Sequence, residues 1–392
     1  MDMIRKNIPF ILGFVLVFFL STYKLSESPP TWMDEGIFSQ VARNMALYGT
    51  HGVQVAPGEF EYGIYITTSY AVTGPIALSF LVFGQGILQA RIVMALFIII
   101  VYCAFYALVK KRLSDWSLVI SLLLVAFFAP LYGHGRNVMG EVPGVAYLLL
   151  SLVFLMRIYG GKKTFREYIF AGLFAGLATV TKPIYVLVVP AVLIALFLYR
   201  RELFDNKKSV VAYFIPAAIP LFIWFFVQFS GVSLSSVAVL YANPNDIDIW
   251  KSVLENSKRF FTELQPMYAL GLFILWTVSG VLRIRRNSLR ESITPAELAS
   301  WILSLLILLM YLRTAGYYRY FFTAQLLGLI YLLPSILQVT MARYAKQVIV
   351  LFTILVLFHT HQTFFNSWVS VHIDTHRSAL LSQYVGNITA EK

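Results

Sequence analysis

From Ile92 to Val109 the chain runs without one charged side chain, and apolar runs of this kind recur along its length. Backbone placed in hydrocarbon must satisfy its own N–H and C=O groups, so such runs are read as membrane helices. The expected fold is therefore all-α, a polytopic transmembrane bundle. Composition agrees: 59% of residues are hydrophobic, 13% are charged and mean hydropathy is +0.73, where a soluble domain carries about 25% charged residues. Cys103 is the only cysteine and lies in an apolar run, which excludes an intramolecular disulfide framework and a cysteine metal cluster.

A hydrocarbon core about 30 Å thick needs about 20 apolar residues per helix, fewer where a helix is short or re-entrant. On that scale eleven spans are expected, near 8–23, 88–109, 116–132, 142–156, 168–180, 185–199, 210–229, 267–282, 298–312, 320–338 and 347–359. The first follows Arg5 and Lys6 but lacks a small-residue cleavage pattern behind it, so it is read as a retained helix. With the N-terminus cytoplasmic, the formal excess of +12 falls entirely on one side, in segments 1–7, 110–115, 157–167, 200–208, 283–297 and 343–346. Basic residues favour the cytoplasmic side. The basic balance thus reflects membrane orientation, and no basic soluble domain exists to bind nucleic acid. Residues 1–363 are expected to form the membrane domain, with long outer loops at 24–87 and 230–266 and a short outer tail at 364–392.

The outer segments hold the candidate chemistry. Pro29-Pro30 stops the first helix, and Thr31 followed by Asp34 resembles a capping box that opens a short amphipathic helix ending at Gly49. Asp34 and Glu35 sit in its first turn, where the helix dipole alone favours acids. Tethering at the mouth of a bundle also places them where a lipid headgroup would lie. Further on, Gly74-Pro75 and the turn at Gly84-Gln85-Gly86 are expected to break the chain into short pieces that skim the membrane. His51 has no second histidine at metal-site spacing.

Arg136 and Glu141 are held near the surface by a very short loop, either as a plain ion pair or as functional groups. Lys182 stands in Thr181-Lys182-Pro183, the expected outer tip of a hairpin whose flanks are both basic; it could hold a phosphate or snorkel to the interface. Gly172, Gly176 and Ala178 would let the first arm of that hairpin pack closely on a neighbour. Residues 248–263 read as an interfacial amphipathic helix anchored by Trp250. Arg313 and Arg319 lie among tyrosines in the last outer loop; arginine suits bidentate phosphate recognition, and both residue types also anchor interfaces. Glu141, Arg136, Lys182, Arg313, Arg319 and Tyr62 form the candidate substrate-binding set.

The order WMDEGIFSQVARNMALYG, LVFGQGILQARI, RNVMGEVPGVAYLLL, GLFAGLATVTKP and YYRYFFTAQLLGLIYLLP resembles the C-type (GT-C) membrane glycosyltransferases. Within them it is similar to the branch of protein O-mannosyltransferases and lipid A aminoarabinose transferases. The resemblance implies an inverting transferase that takes a sugar from a polyprenyl phosphate donor, outside the cytoplasm, to a hydroxyl or phosphate on a glycan, lipid or protein acceptor. It implies Asp34 as catalytic base, Glu35 as an orienting acid, Glu141 as the second acidic site, and Lys182 and Arg319 as contacts of the lipid-linked phosphate, with Arg313 a weaker match. It requires no cofactor, although other branches use a divalent cation. Thr73-Gly74-Pro75 stands where many relatives read Lys-Pro-Pro, and the large outer C-terminal domain of several relatives is not expected here. The expected location is a prokaryotic plasma membrane, with the N-terminus cytoplasmic and the site outside. A transporter or flippase would show internal repeats and charges at the membrane midplane; a non-catalytic assembly subunit would not depend on the acids.

Overall fold

The structure is a computed structural model that describes residues 2–62, 66–229, 235 and 247–367. In chain order the main elements are α1 Asp2–Thr22, α2 Met33–Tyr48, β1 Gly52–Ala56, β2 Glu59–Tyr62, α3 Tyr70–Phe83, α4 Ile87–Val109, α5 Asp115–Ala126 and α6 Ala129–Gly135. They continue with α7 Glu141–Tyr159, α8 Phe165–Val180, α9 Val188–Leu198, α10 Lys207–Gln228, α11 Ile249–Thr262, α12 Leu264–Arg286, α13 Pro295–Leu312, α14 Phe322–Val339 and α15 Ala345–His361. Single-turn and 3-10 segments join them.

Among the described residues, seven helices are long and apolar enough to cross a membrane, and the pair α5–α6, bent by 43°, would make an eighth. The expected span 116–132 is thus two helices. Pro130, near the start of α6, has no N–H to continue the ladder from α5. The 8–22 segment of α1 and the 183–198 segment are shorter apolar helices, and α8 has 16 residues. Eleven spans are therefore not established by length.

Ion pairs sort the connections into two ends. At one end Arg112 meets Glu297, Arg157 meets Glu167, Lys163 meets Asp205 and Arg290 meets Glu202, with N–O distances of 2.7, 2.9, 2.5 and 3.1 Å. These are the segments to which the sequence allots the basic excess. The opposite end gathers the loops that carry Asp34, Glu141, Lys182 and Arg319. Lys163 and Asp205, together with the 2.7 Å bond from Tyr168 Oη to the Leu203 carbonyl, close the base of the α8–α9 hairpin. The Lys182 tip projects to the other end.

Three local expectations need correction. α2 starts at Met33 with Trp32 as its N-cap and no side-chain cap, so Thr31 does not form the capping box; Gly49 does end the helix in the left-handed region (φ 67°). Gly74-Pro75 does not break α3: Pro75 stands inside the helix, and the Ala71 carbonyl that its missing N–H leaves free accepts instead from Tyr147 Oη of α7 at 3.0 Å, while Ser69 caps the N-terminal end. The segment between α2 and α3 also holds a two-stranded antiparallel hairpin, β1–β2, around Pro57-Gly58; Asn44 Nδ2 donates to the Gly52 carbonyl at 2.9 Å and ties it to α2.

The small residues on α8 act as expected. A Cβ on Gly172 would lie 2.0 Å from the Tyr213 carbonyl oxygen of α10, and one on Gly176 2.3 Å from that of Ala217. Two backbones therefore touch where side chains would hold them apart. Gly172→Ala is expected to destabilise the protein by about 1–3 kcal/mol through overpacking. Gly271→Ala, where nothing lies within 4 Å of the added carbon, should leave the midpoint of thermal unfolding in detergent nearly unchanged.

Candidate active site

The site begins with the way α2 is fixed. Glu35 is fully buried and takes both arms of the Arg91 guanidinium, Nε to Oε1 at 2.8 Å and Nη2 to Oε2 at 2.7 Å. Arg91 also donates to the Leu25 carbonyl at 2.9 Å and to Asn137 Oδ1 at 3.3 Å, while the Val138 N–H donates to Glu35 at 3.3 Å. One carboxylate thus joins α2, α4, the chain after α1 and the loop before α7. Charge-assisted, bidentate bonds of this kind fix orientation as well as position.

Asp34, the next residue on the helix, faces the other way. Its Oδ2 accepts from Arg319 Nη1 at 2.5 Å, and both side chains are 21% exposed. Arg319 lies in a 3-10 turn, Tyr318–Tyr320, with the rings of Tyr317 and Tyr320 at 5.4 and 5.6 Å from its guanidinium carbon. Burial opposes its charge, but Glu141 and the Asp34 hydrogen bond outweigh it and raise the Arg319 pKa further, so the side chain stays cationic.

Glu141, at the start of α7, pairs with Lys182 at the hairpin tip. Tyr185 braces the pair, donating to the Glu141 carbonyl and lying 2.7 Å from Thr323 Oγ1 of α14. Close approach is possible because Gly140 and Gly144 carry no side chain; a Cβ would meet the Thr181 carbonyl oxygen at 2.8 Å or the Tyr185 ring at 2.4 Å. Glu141, Lys182, Arg319 and Asp34 lie close enough for their charges to interact. His134 feels Glu141, Lys182 and Arg319 and stacks on Tyr318 with ring centroids 5.2 Å apart. It also lines a cavity of about 340 Å³ with Phe128, Gln265, Tyr268 and His359, and no Asp, Glu, Lys or Arg lines it.

The sequence-predicted residues therefore divide. Asp34, Glu141, Lys182 and Arg319 come together. Glu35 is near them in sequence but buried against Arg91. Arg136 is fully buried and makes no ion pair with Glu141; it donates to the Tyr23 carbonyl, and its Nε and Nη1 have no partner among the described residues. Arg313 ends α13 at the start of the same loop, and the cation that reaches Asp34 is Arg319. The side chain of Tyr62 lies outside the described residues. Among those residues no group of three or more His, Cys, Asp or Glu side chains is placed to hold a metal ion.

Some contributors were missed from sequence. Arg91 could have been found as the one charge entering the apolar run 87–109, since an ionisable group at that depth calls for a partner. Asn256 and Arg259 of α11 had no such signal. Asn256 Nδ2 donates to the carbonyls of Tyr311, Leu312 and Thr314 at 3.1, 3.1 and 2.8 Å, and Arg259 to that of Gly316 at 2.8 Å. The amphipathic helix, with Trp250 80% exposed, thus also holds the loop that presents Arg319.

The chain is a helical membrane bundle of the GT-C fold, with an acid-bearing amphipathic helix between α1 and α3. Residues 75–234, less than half of the chain, match the family described as dolichyl-phosphate-mannose-protein mannosyltransferase. Among solved structures it is similar to ArnT from Cupriavidus metallidurans bound to undecaprenyl phosphate. That match has a TM-score of 0.59 at 14% identity and covers 88% of this chain and 63% of that one. The Archaeoglobus fulgidus oligosaccharyltransferase in complex with Zn and sulfate matches with a TM-score of 0.59 at 14% identity, over 91% of this chain and 52% of its own. The archaeal oligosaccharyltransferase AglB from Archaeoglobus fulgidus, with an inhibitory peptide and a dolichol-phosphate, matches at 0.53 and 10% identity, over 91% and 55%. No curated protein sequence matches the chain.

Two measurements test this construction. Removing one partner of the buried pair, by Glu35→Met or Arg91→Met, is expected to cost about 3–5 kcal/mol because the other charge is left buried. The double variant Glu35→Met/Arg91→Met should recover much of it in a thermal double-mutant cycle. His51, just after α2, is buried with both ring nitrogens unpartnered among the described residues, and burial lowers its pKa to about 4. Its folded pKa is below the unfolded value of about 6.5, so its contribution is complete above that pH and is lost as pH falls toward 4. Between pH 7 and 5 stability should drop by about 2 kcal/mol from this group alone, and His51→Gln should flatten that slope in pH-dependent melts.

Proposed function

We propose that the protein is an inverting glycosyltransferase that uses a polyprenyl-phosphate-linked sugar, with Asp34 as the base. The observation that carries this reading is the Asp34–Arg319 pair standing next to Glu141–Lys182: a partly exposed acid within reach of two cations. Arg319 and Lys182 suit the donor phosphate, and Asp34 suits the acceptor hydroxyl. The resemblance to ArnT bound to undecaprenyl phosphate and to AglB with a dolichol-phosphate supports a lipid phosphate as donor carrier.

In this scheme the donor phosphate competes for Arg319 and frees Asp34 Oδ2 from its hydrogen bond. The acceptor oxygen attacks the sugar's anomeric carbon from the face opposite the phosphate. As that bond forms, the carbon–oxygen bond to phosphate breaks, its electron pair leaves with the polyprenyl phosphate, and Asp34 takes the acceptor proton. A base must stand within hydrogen-bond reach of the proton it removes. Arg319 and Lys182 stabilise the charge that grows on the departing phosphate, the general advantage of preorganised cations. Glu141 holds Lys182, and Glu35 acts through Arg91 as a positioning residue for α2. The scheme draws on no metal. The uncharged cavity beside His134 offers room for a neutral acceptor group. Sugar, acceptor and membrane face follow the sequence-based expectation: a hydroxyl or phosphate acceptor at the extracytoplasmic surface.

Asp34→Asn should reduce transfer by at least about 1,000-fold while leaving binding of the donor lipid within a few-fold. Purified protein in detergent, with transfer followed by mass spectrometry and donor binding by a titration, separates the two. Transfer at the wild-type rate would remove Asp34 from the role of base.

A further inference from the structure

The end of the bundle away from Asp34 holds a charge that the proposed chemistry does not use. Glu297, at the start of α13, is buried and pairs with two guanidiniums: Arg112 Nη2 lies 2.7 Å from its Oε2, and Arg283 Nη1 3.2 Å from the same oxygen, with a second contact from Arg283 Nη2 to Oε1. Trp276 Nε1 also donates to it at 3.2 Å. Two cations thus share one carboxylate, in a place where unbalanced charge is costly. Arg283 is 4% exposed, and its Nε has no hydrogen-bond partner among the described residues.

Beside this cluster lies a recess of about 230 Å³ between α12 and α13, closed by the connection 289–293. Arg283 and Glu297 line one part of it. The remainder is apolar, with Val281 and Ile284 on α12 and Leu298 and Trp301 on α13. Trp301 is held there by a 2.8 Å bond to Thr277. Ile284 is followed directly by Arg285 and Arg286, both exposed and without an ion pair or hydrogen bond among the described residues. At this end Arg157, Lys162, Lys163 and Arg290 are matched with acids, while Arg285 and Arg286 are among several exposed basic side chains without an acid partner in the described residues, and stand next in sequence to Ile284 of the recess.

We propose that this recess binds an anionic phospholipid. One acyl chain lies against Trp301, Val281 and Ile284, and the phosphate meets Arg285 and Arg286 with the net charge of the Arg112–Glu297–Arg283 cluster behind it. A free phosphate would use the arginines and leave the apolar wall empty; a zwitterionic lipid would fill the wall and leave the charge unbalanced. Basic pockets between membrane helices select anionic headgroups for this reason. The site is distant from Asp34 and does not depend on the transferase reading.

The test uses the full chain reconstituted in phosphatidylcholine vesicles that contain about 10 mol% of a bromine-labelled lipid, either phosphatidylglycerol or phosphatidylcholine. Bromine quenches tryptophan fluorescence on contact, and Trp301 forms the wall. Brominated phosphatidylglycerol should quench at least about twofold more than brominated phosphatidylcholine at the same mole fraction. Because Trp276 lines the same recess, that excess should fall by about half in Trp301→Phe. Arg285→Gln/Arg286→Gln, which alters only exposed side chains, should weaken phosphatidylglycerol retention by about tenfold in lipid mass spectrometry of the purified protein. Equal quenching by the two lipids, or an excess that is undiminished in Trp301→Phe, would overturn the proposal.

Discussion

The Glu35–Arg91 pair is the contact on which the Asp34 end of the molecule depends. α2 is amphipathic and short, and a helix of that length is marginal in isolation. It keeps one orientation because it buries Phe38, Val41 and Ala42 and because the buried Glu35 fastens it to α4 and to the chain before α7, and through Arg91 to Leu25. Adjacent helix residues point about 100° apart, so locking Glu35 inward turns Asp34 toward Arg319. The buried pair and the exposed pair are thus one device, in which the first sets the geometry of the second.

The opposing side of the site is built by close backbone approach. Gly140 and Gly144 admit the hairpin tip and the Tyr185 ring, which lets Lys182 reach Glu141. Arg319 arrives from a third direction on a loop pinned by Asn256 and Arg259. Four loops converge, and each is held by a contact distinct from the charges it presents. Such separation lets a substrate exchange partners with Asp34 and Arg319 without loosening the scaffold.

Much of this was legible in the residues, for stated physical reasons. Uninterrupted apolar runs showed the helical membrane class, and the one-sided basic excess sorted the connections into the two ends that the ion pairs join. Small residues on α8 announced its contact with α10. An acid in the first turn of the helix after Pro29-Pro30 picked out Asp34, and charge in short connections picked out Glu141, Lys182 and Arg319. Partner choice was less legible. Arg136 and Glu141 are close in sequence and do not pair, because Lys182 arrives from another helix. Arg91 was counted with an apolar run rather than with the acid it serves. Helix breaks were also misjudged: Pro75 lies inside α3, where Tyr147 satisfies the carbonyl it leaves free, whereas Pro130 divides a run that reads as continuous. The anchoring helix α11 showed its amphipathic face in sequence, but the hydrogen bonds of Asn256 to a loop more than fifty residues away exist only in the folded chain.

On the proposed reading the protein must separate a sugar from a lipid phosphate. Purified protein incubated with a panel of polyprenyl phosphate sugars and candidate acceptors, with the lipid products read by mass spectrometry, observes that step directly. The geometry around Asp34 and Arg319 predicts that one donor is consumed, releasing polyprenyl monophosphate together with a glycosylated acceptor. Donor that stays intact across the panel, while the same protein moves it between the leaflets of sealed vesicles, would contradict the assignment and identify a transporter instead.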